Sequence, residues 1–156
     1  VLKQIGQGFA GRIDCLSFPY DAVCGIPNAG EPIAMAFVHL HPKPLIRLIK
    51  SEGEGDRRIA GVLAGHGPLA GARVLLIDDV ITTAKTKLEA IQALRSFNFV
   101  VEHLLVVVDQ EQGGVDEVAD IGVLTHTLFR TRSLIAHYRR TQQIDVVTHD
   151  RVIAYL

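Results

Sequence analysis

The stretch "VLLIDDVITTAKT", residues 74–86, decides how the rest of the chain is interpreted. Its first half has the length and the branched apolar side chains of a buried strand, and it runs directly into two carboxylates, Asp78 and Asp79. Adjacent carboxylates repel each other, so the chain gains no stability from them unless water, a cation or ligand hydroxyl groups lie between them. The pair therefore points to a chemical role.

Apolar segments of similar character lie on both sides of this stretch and alternate with segments of helical spacing. Strands that are apolar on both faces, alternating with helices, predict an α/β fold with a mainly parallel sheet covered on both sides. The predicted strands are residues 21–27, 44–49, 73–79, 100–109 and 121–128, with a further short strand at 58–64 after a polar, glycine-rich loop at 51–58. The predicted helices are residues 30–40, 85–97 and a short one near 113–121, followed by two amphipathic helices in the tail that separate near residues 144–145.

Composition limits the classes of protein to which the chain can belong. Its 156 residues, 48% of them hydrophobic, predict a single domain over residues 1–156. With 16 basic and 17 acidic residues and no apolar run near the roughly 20 residues of a membrane span, we expect a cytoplasmic protein that binds neither nucleic acid nor membranes. Cys15 and Cys24 are predicted to be buried free thiols, and His126 a hydrogen-bonded core residue.

The residues after the acidic pair predict an anion site. In open parallel sheets ligands bind beyond the carboxyl ends of the strands, and "TTAKT" leads from such an end into a helix whose N-terminal amides favour anions. Carboxylates beside a phosphate are suited to sugar hydroxyls or to hydrated Mg²⁺, a combination that describes a ribose phosphate. Solvated loop carboxylates remain the alternative for the acidic pair alone. A nucleoside-triphosphate site is disfavoured, because the chain contains no GxxxxGK[ST] motif.

Four motifs in the same order resemble those of the type I phosphoribosyltransferases, and within them the orotate phosphoribosyltransferases. "DDVITTAKTKLEAI" (78–91) is similar to the motif that binds phosphoribosyl pyrophosphate (PRPP), and "CGIPNAGEPIA" (24–34) to the pyrophosphate loop. "DQEQGG" (109–114) resembles the "DREQGG" turn, and residues 134–156 resemble the C-terminal helices. The resemblance implies the type I phosphoribosyltransferase fold, with helices flanking a mainly parallel central sheet and with the N-terminal part of the family's hood missing from this sequence.

The activity implied by the resemblance is the transfer of the 5-phosphoribosyl group of PRPP to orotate. The products would be pyrophosphate and orotidine 5′-monophosphate, in the biosynthesis of UMP, with Mg²⁺ as the cofactor. The resemblance also implies a homodimer, with the segment from Arg47 to Arg58 poorly ordered without ligand, and fusion to or pairing with orotidine-5′-phosphate decarboxylase.

The same resemblance implies roles for individual residues. Asp78 and Asp79 would bind the ribose hydroxyls and stabilise a cationic transition state, and Lys50 would close over the leaving pyrophosphate; an exposed loop lysine is the alternative for Lys50. No direct metal ligand is implied, because Mg²⁺ would arrive on PRPP and reach the two aspartates through water. The implied substrate-binding residues are Arg47, Thr82, Thr83, Ala84, Lys85, Thr86, Pro27, Asn28 and Gln110.

Four positions depart from the family pattern. Ala84 stands where glycine is usual, Lys85 where a small residue is usual, Gln110 where arginine is usual, and Glu52 where histidine or tyrosine is usual. If the usual glycine has a positive φ, alanine would strain the loop by about 1 kcal/mol. These departures predict weak activity, and the alternative function is a degenerate phosphoribosyltransferase-like domain with a structural role or a role in sensing PRPP or nucleotides.

Overall fold

The chain is described by a computed structural model that covers residues 1–50, 59–63 and 70–156. Helices and strands alternate through most of these residues, as predicted. The helices are α1 (Leu2–Leu16), α2 (Gly30–Val38), α3 (Lys85–Ser96), α4 (Gly114–Ala119), α5 (Thr131–Arg140) and α6 (Val146–Tyr155). The strands are β1 (Ala22–Gly25), β2 (Leu45–Lys50), β3 (Ile59–Leu63), β4 (Arg73–Ile81), β5 (Val100–Asp109) and β6 (Leu124–Arg130).

All six strands form one sheet in the order β3-β2-β1-β4-β5-β6. Every neighbouring pair is parallel except β2 and β3, which are antiparallel. The prediction of a mainly parallel α/β sheet is thus confirmed. After β1 the chain adds β2 and β3 on one side of it, and then returns to add β4, β5 and β6 on the other side. The strand order therefore reverses between β1 and β4, and open sheets of this kind bind ligands at such a position.

Alternate residues of β4 face the two halves of the core. Leu75 and Ile77 pack in one cluster with residues of α1 and α2, whereas Val74 and Leu76 pack in the other with residues of α3. Because strand side chains alternate with a period of two, the next even-numbered residue, Asp78, is directed toward α3. The regular alternation of the strand therefore decides which helix one of the two carboxylates meets.

Several predicted boundaries are wrong by a few residues. β4 continues to Ile81, because its pairing with β5 extends to Ile81 opposite Asp109, so the aspartates lie within the last part of the strand. Residues 47–50, at the start of the segment expected to be poorly ordered without ligand, belong to β2, which pairs with β3 up to Lys50 opposite Ile59; the remainder of that segment, residues 51–58, lies outside the described residues. β6 begins at Leu124 because residues up to Gly122, with φ +76°, form the turn that ends α4.

Both ends of the chain are helical, as predicted for the tail. The two tail helices separate at Asp145, whose carboxylate accepts a hydrogen bond from the Thr148 amide at 2.7 Å and caps α6. Of the two cysteines, Cys24 is buried, and this burial raises the pKa of its thiol to about 12, but Cys15 lies on the exposed face of α1, so its predicted burial is wrong. Within the described part of the chain no helix combines the length and the apolar character needed to cross a bilayer.

Candidate active site at the carboxyl edge of the sheet

The carboxyl ends of four adjacent strands bring the predicted motifs to one edge of the sheet. β1, β2, β4 and β5 lie side by side and run in the same direction, so the residues that follow them meet at that edge. The residues involved are 26–29 after β1, Lys50 at the end of β2, residues 82–86 after β4 (hereafter the 82–86 segment), and residues 110–113 after β5.

The connection from β1 to α2 lies against the end of β4. The Ile26 amide donates to the Ile77 carbonyl at 2.8 Å, which fixes the start of the connection. At Gly30, the first residue of α2, a Cβ atom would clash with the Ile77 carbonyl oxygen and would lie 3.2 Å from the nearer carboxylate oxygen of Asp78. Glycine at this position therefore allows α2 to approach β4 closely, and the approach places Pro27 and Asn28 beside the acidic pair.

The two aspartates have different surroundings. Asp78 is only 4% exposed; its Oδ2 lies 2.8 Å from the Nζ of Lys87, and its Oδ1 accepts a hydrogen bond from the Asp79 amide at 2.9 Å. Asp79 is half-buried, and its Oδ1 accepts from the Val80 amide at 2.7 Å. One carboxylate is therefore held inside the protein by a lysine, whereas the other remains accessible to a ligand.

Burial governs the protonation of Asp78. It raises the pKa of this carboxyl to about 6, against the opposing attraction of the Lys87 ammonium group. Above this pKa, Asp78 is ionised and its charge is balanced by Lys87.

The 82–86 segment joins the end of β4 to the first turn of α3. Ala84 is the N-cap of α3 and has no side-chain oxygen to offer to the first-turn amides, which leaves this helix end suited to an anion. The Ala84 amide donates to the Glu117 carboxylate at 3.3 Å, so an acidic side chain from α4 already lies at this position. Ala84 has φ −87°, where alanine is unstrained, so the strain expected from replacing a positive-φ glycine does not arise.

The turn after β5 is tied to the 82–86 segment by main-chain hydrogen bonds. The Gln110 amide donates to the Ile81 carbonyl, and the Gly114 amide donates to the Thr82 carbonyl, each at 2.9 Å. A Cβ atom at Gly114 would clash with the Thr82 carbonyl oxygen, so this close approach also requires glycine. Gln110 is consequently held beside the loop that follows the acidic pair.

A cavity of about 260 Å³ lies between β2 and the start of α2. Arg47 lines this cavity, and its Nε lies 3.3 Å from the Oε1 of Glu31. Arg47, a predicted substrate-binding residue, therefore lies near Pro27 and Asn28, but its guanidinium group already pairs with the Glu31 carboxylate. The cavity is lined by Pro27, Asn28, Glu31, Arg47, Leu48, Ile49 and Leu63.

The chain is similar to known proteins, although no protein-family model matches it. Over 135 residues the chain is 30% identical to the orotate phosphoribosyltransferase of Methanospirillum hungatei, an alignment that covers 86% of this chain and 74% of that protein. The chain belongs to the orotate phosphoribosyltransferase family.

Two UMP synthases extend the comparison to the whole chain. Bovine uridine 5′-monophosphate synthase is 24% identical over 157 residues, which cover 100% of this chain and 32% of that protein. The structure of Leishmania donovani UMP synthase superposes with a TM-score of 0.84 at 26% identity, covering 99% of this chain and 32% of that one. The chain thus has the type I phosphoribosyltransferase fold and spans about a third of the length of these UMP synthases.

Measured against the pattern of the orotate phosphoribosyltransferase family, most of the predicted site residues lie together. The acidic pair, Pro27, Asn28, Gln110 and the 82–86 segment share one edge of the sheet. Lys85 departs from this grouping, because its side chain lines a shallow groove along α3 with Glu89, Gln92 and Ile59. Lys50 ends β2 at the same edge, but its side chain lies outside what the structure describes, as does Glu52.

Sequence reasoning missed Lys87 and Glu117. Lys87 occupies the buried stripe of α3 that also contains Ala90, Ile91 and Leu94, and a lysine in an apolar stripe signals a buried acidic partner. No comparable signal marks Glu117, since it meets Ala84 from a helix that is 33 residues away in sequence. Only the folded arrangement of α3 and α4 brings that pair together.

Proposed function

We propose that this orotate phosphoribosyltransferase family member transfers the 5-phosphoribosyl group of PRPP to orotate, as part of cytoplasmic UMP synthesis. The proposal is supported above all by one observation: an acidic pair, an uncapped helix N-terminus and a cavity bordered by Arg47 share the carboxyl edge of one sheet. A phosphoribosyl pyrophosphate needs these three environments side by side, for its ribose, its 5-phosphate and its pyrophosphate.

The 5-phosphate would bind the 82–86 segment. Thr82, Thr83 and Thr86 can offer hydroxyl groups, and the first-turn amides of α3 offer N–H donors at the positive end of the helix. Because the Glu117 carboxylate accepts from the Ala84 amide, phosphate binding requires that carboxylate to move away. Lys85, the first residue of α3, would have to turn out of its groove along α3 to add positive charge at the same turn.

The accessible member of the acidic pair would bind the ribose. Asp79, which is half-buried, would accept hydrogen bonds from the ribose hydroxyls, with Asp78 behind it. As the bond from the anomeric carbon to pyrophosphate breaks, its electron pair leaves with pyrophosphate and positive charge develops on the sugar. The nearby carboxylate charge stabilises that transition state, and a ring nitrogen of orotate forms the new bond to the anomeric carbon as its proton passes to water.

Pyrophosphate would occupy the cavity beside Pro27 and Asn28, with Arg47 and Lys50 as its cations. Among residues 1–50, 59–63 and 70–156, no group of three or more His, Cys, Asp or Glu side chains is arranged to hold a metal ion. The half-exposed Asp79 carboxylate fits a hydrated Mg²⁺ carried by PRPP, which would reach it through water and neutralise charge on the leaving group.

Orotate would bind near Gln110, at the end of β5. The family arginine is absent there, so the anionic base lacks one charged hydrogen bond, which typically contributes about 1.5–3 kcal/mol. We also propose that the protein acts as a homodimer. About two thirds of each UMP synthase lies outside its alignment with this chain. This is compatible with fusion to, or pairing with, orotidine-5′-phosphate decarboxylase, which we also propose.

Calorimetric titration with PRPP and Mg²⁺, followed by orotate, tests this function, together with a pyrophosphate-release assay. We expect PRPP to bind, orotate to bind only after it, and pyrophosphate to be released when both are present. Asp79→Asn should weaken PRPP binding, whereas Asp116→Asn, an exposed aspartate of α4, should leave it unchanged. Absence of PRPP binding by the unaltered chain would contradict the proposal.

A degenerate domain that senses PRPP or nucleotides is the second candidate. It is favoured by the Glu117 carboxylate on the 82–86 segment and by glutamine at position 110. In that case PRPP or phosphate binds, but orotate causes no pyrophosphate release. Release at a rate typical of enzymes, about 1–1000 per second, would exclude this candidate.

A further inference from the structure

We propose that Lys87 is a positioning residue for the phosphoribosyl site. Lys87 holds Asp78 inside the protein and braces the two ends of the 82–86 segment, so that Asp79 is the carboxylate that binds the ribose. The inference rests on the proposed function and adds to it a residue to which the sequence motifs assigned no role. It also divides the acidic pair into one internal and one external carboxylate.

The contact between Lys87 and Asp78 is an internal ion pair. The two side chains are 10% and 6% exposed, and their Nζ and Oδ2 atoms are 2.8 Å apart. Both charges are thus removed from water, and each depends on the other as its counter-charge. Among the described residues, Asp79 is a further charged group beside the pair, and its amide donates to the Oδ1 of Asp78.

The position of the pair in the chain makes it a brace. Asp78 lies in β4 just before the 82–86 segment, and Lys87 lies in the first turn of α3 just after it. The ion pair therefore joins the two ends of the segment across the site. Through the hydrogen bond from the Asp79 amide, the same carboxylate fixes the backbone that carries the accessible aspartate.

Stability alone does not account for a lysine at this position. Apolar side chains of similar volume stabilise a protein as well as a buried ion pair does, and often better. The remaining members of the α3 stripe, Ala90, Ile91 and Leu94, show that apolar residues fit this face of the helix. Competition between Lys87 and the ligand for Asp78 is also disfavoured, because a carboxylate that is 4% exposed is inaccessible to a ribose.

The test measures PRPP affinity with Mg²⁺ and orotate-dependent turnover for four variants of the full chain. They are Lys87→Met, Asp78→Asn, the double variant that combines them, and the packing control Ile91→Met, a buried residue one turn along the same stripe. We expect Lys87→Met and Asp78→Asn each to raise the Kd for PRPP by about tenfold or more, and the double variant to be no weaker than either alone, because the two residues act as one unit. Ile91→Met should lower the melting temperature without changing the Kd.

The double variant removes both charges, so it leaves no unpaired buried charge if Lys87→Met alone fails to fold. Recovery of wild-type affinity in the double variant would overturn the brace, since Lys87 would then only neutralise Asp78. Unchanged or tighter PRPP binding by folded Lys87→Met would also overturn it. If the unaltered chain does not bind PRPP, the proposed function fails and the inference fails with it; if it binds and only the Lys87 effect is absent, the inference alone fails.

Discussion

Two single residues, Glu117 and Gln110, are expected to weaken ligand binding at the proposed site. The Ala84 amide, which a phosphate would use, is already bonded to the Glu117 carboxylate at 3.3 Å. Gln110 lies where the family pattern has arginine, so the charge that would meet an anionic base is missing. Both features follow from side-chain charge, and each can be changed without altering the backbone.

Glu117→Gln should tighten the binding of inorganic phosphate by a few-fold, because it removes a negative charge that lies beside the Ala84 amide, which the phosphate would use as a donor. Calorimetric titration with phosphate at fixed ionic strength measures the change. Asp116→Asn is the matched control, since it removes the same charge from the adjacent position of α4 and should have a smaller effect. Equal effects of the two variants would mean that only the net charge of α4 matters.

Gln110→Arg should lower the Kd for orotate, measured with PRPP or pyrophosphate present, by about tenfold or more, because it restores one charged hydrogen bond. Gln112→Arg adds the same charge within the same turn and serves as the control. If both variants improve orotate binding equally, the gain is a general electrostatic effect and the role proposed for position 110 is wrong.

At the scale of elements, a histidine pair joins the last two strands to the segment that follows α1. The Nδ1 of His103 on β5 lies 3.0 Å from the Nε2 of His126 on β6, which confirms the predicted hydrogen bond of His126. His126 is half-buried, so its predicted place in the core is wrong. Phe18 stacks on His103, with ring centroids 3.6 Å apart and planes 12° from parallel. Burial, with His103 and Arg12 nearby, lowers the pKa of His126 to about 4.

This shift predicts a loss of stability in acid. The unfolded chain binds a proton at His126 near its ordinary pKa of about 6.5, whereas the folded chain resists protonation down to about 4. The contribution of His126 is therefore fully present above about pH 6.5 and is lost as the pH falls toward 4. Denaturant unfolding of the wild type and of His126→Gln across this range measures it, and the variant should show a weaker pH dependence.

The difference between the two curves isolates the histidine. Asp78, whose pKa in the folded chain is raised to about 6, contributes to stability with the opposite pH dependence, because its contribution is lost as the pH rises. This contribution is the same in both proteins. Parallel curves for wild type and His126→Gln would show that the histidine pair does not couple folding to pH.

At the scale of the whole molecule, we predict a homodimer. The resemblance to the orotate phosphoribosyltransferases implies a site shared between two subunits, with the loop lysine of one reaching the site of the other, and in this chain Lys50 ends β2 directly before the corresponding segment. Sedimentation velocity at micromolar concentration should give twice the chain mass. A strictly monomeric protein that nevertheless releases pyrophosphate would contradict a shared site.

The sequence by itself determined the α/β class, the position of the acidic pair at the end of a strand, and the separation of the tail helices at Asp145. These features depend on the local periodicity of apolar residues and on short-range capping, both of which are legible within a few residues. Tertiary structure decided the antiparallel pairing of β3, the exposure of Cys15, and the different surroundings of Asp78 and Asp79.

The contact of Glu117 with Ala84 and the ion pair of Lys87 with Asp78 likewise depend on packing. The first joins separate helices, and the second depends on which face of β4 is turned toward α3. Adjacent residues of a strand point to opposite sides, so two identical carboxylates acquired different partners when one side was covered by a helix carrying a lysine. The sequence specifies the chemical group of each side chain. Its burial and its counter-charge depend on the packing of elements that are distant along the chain.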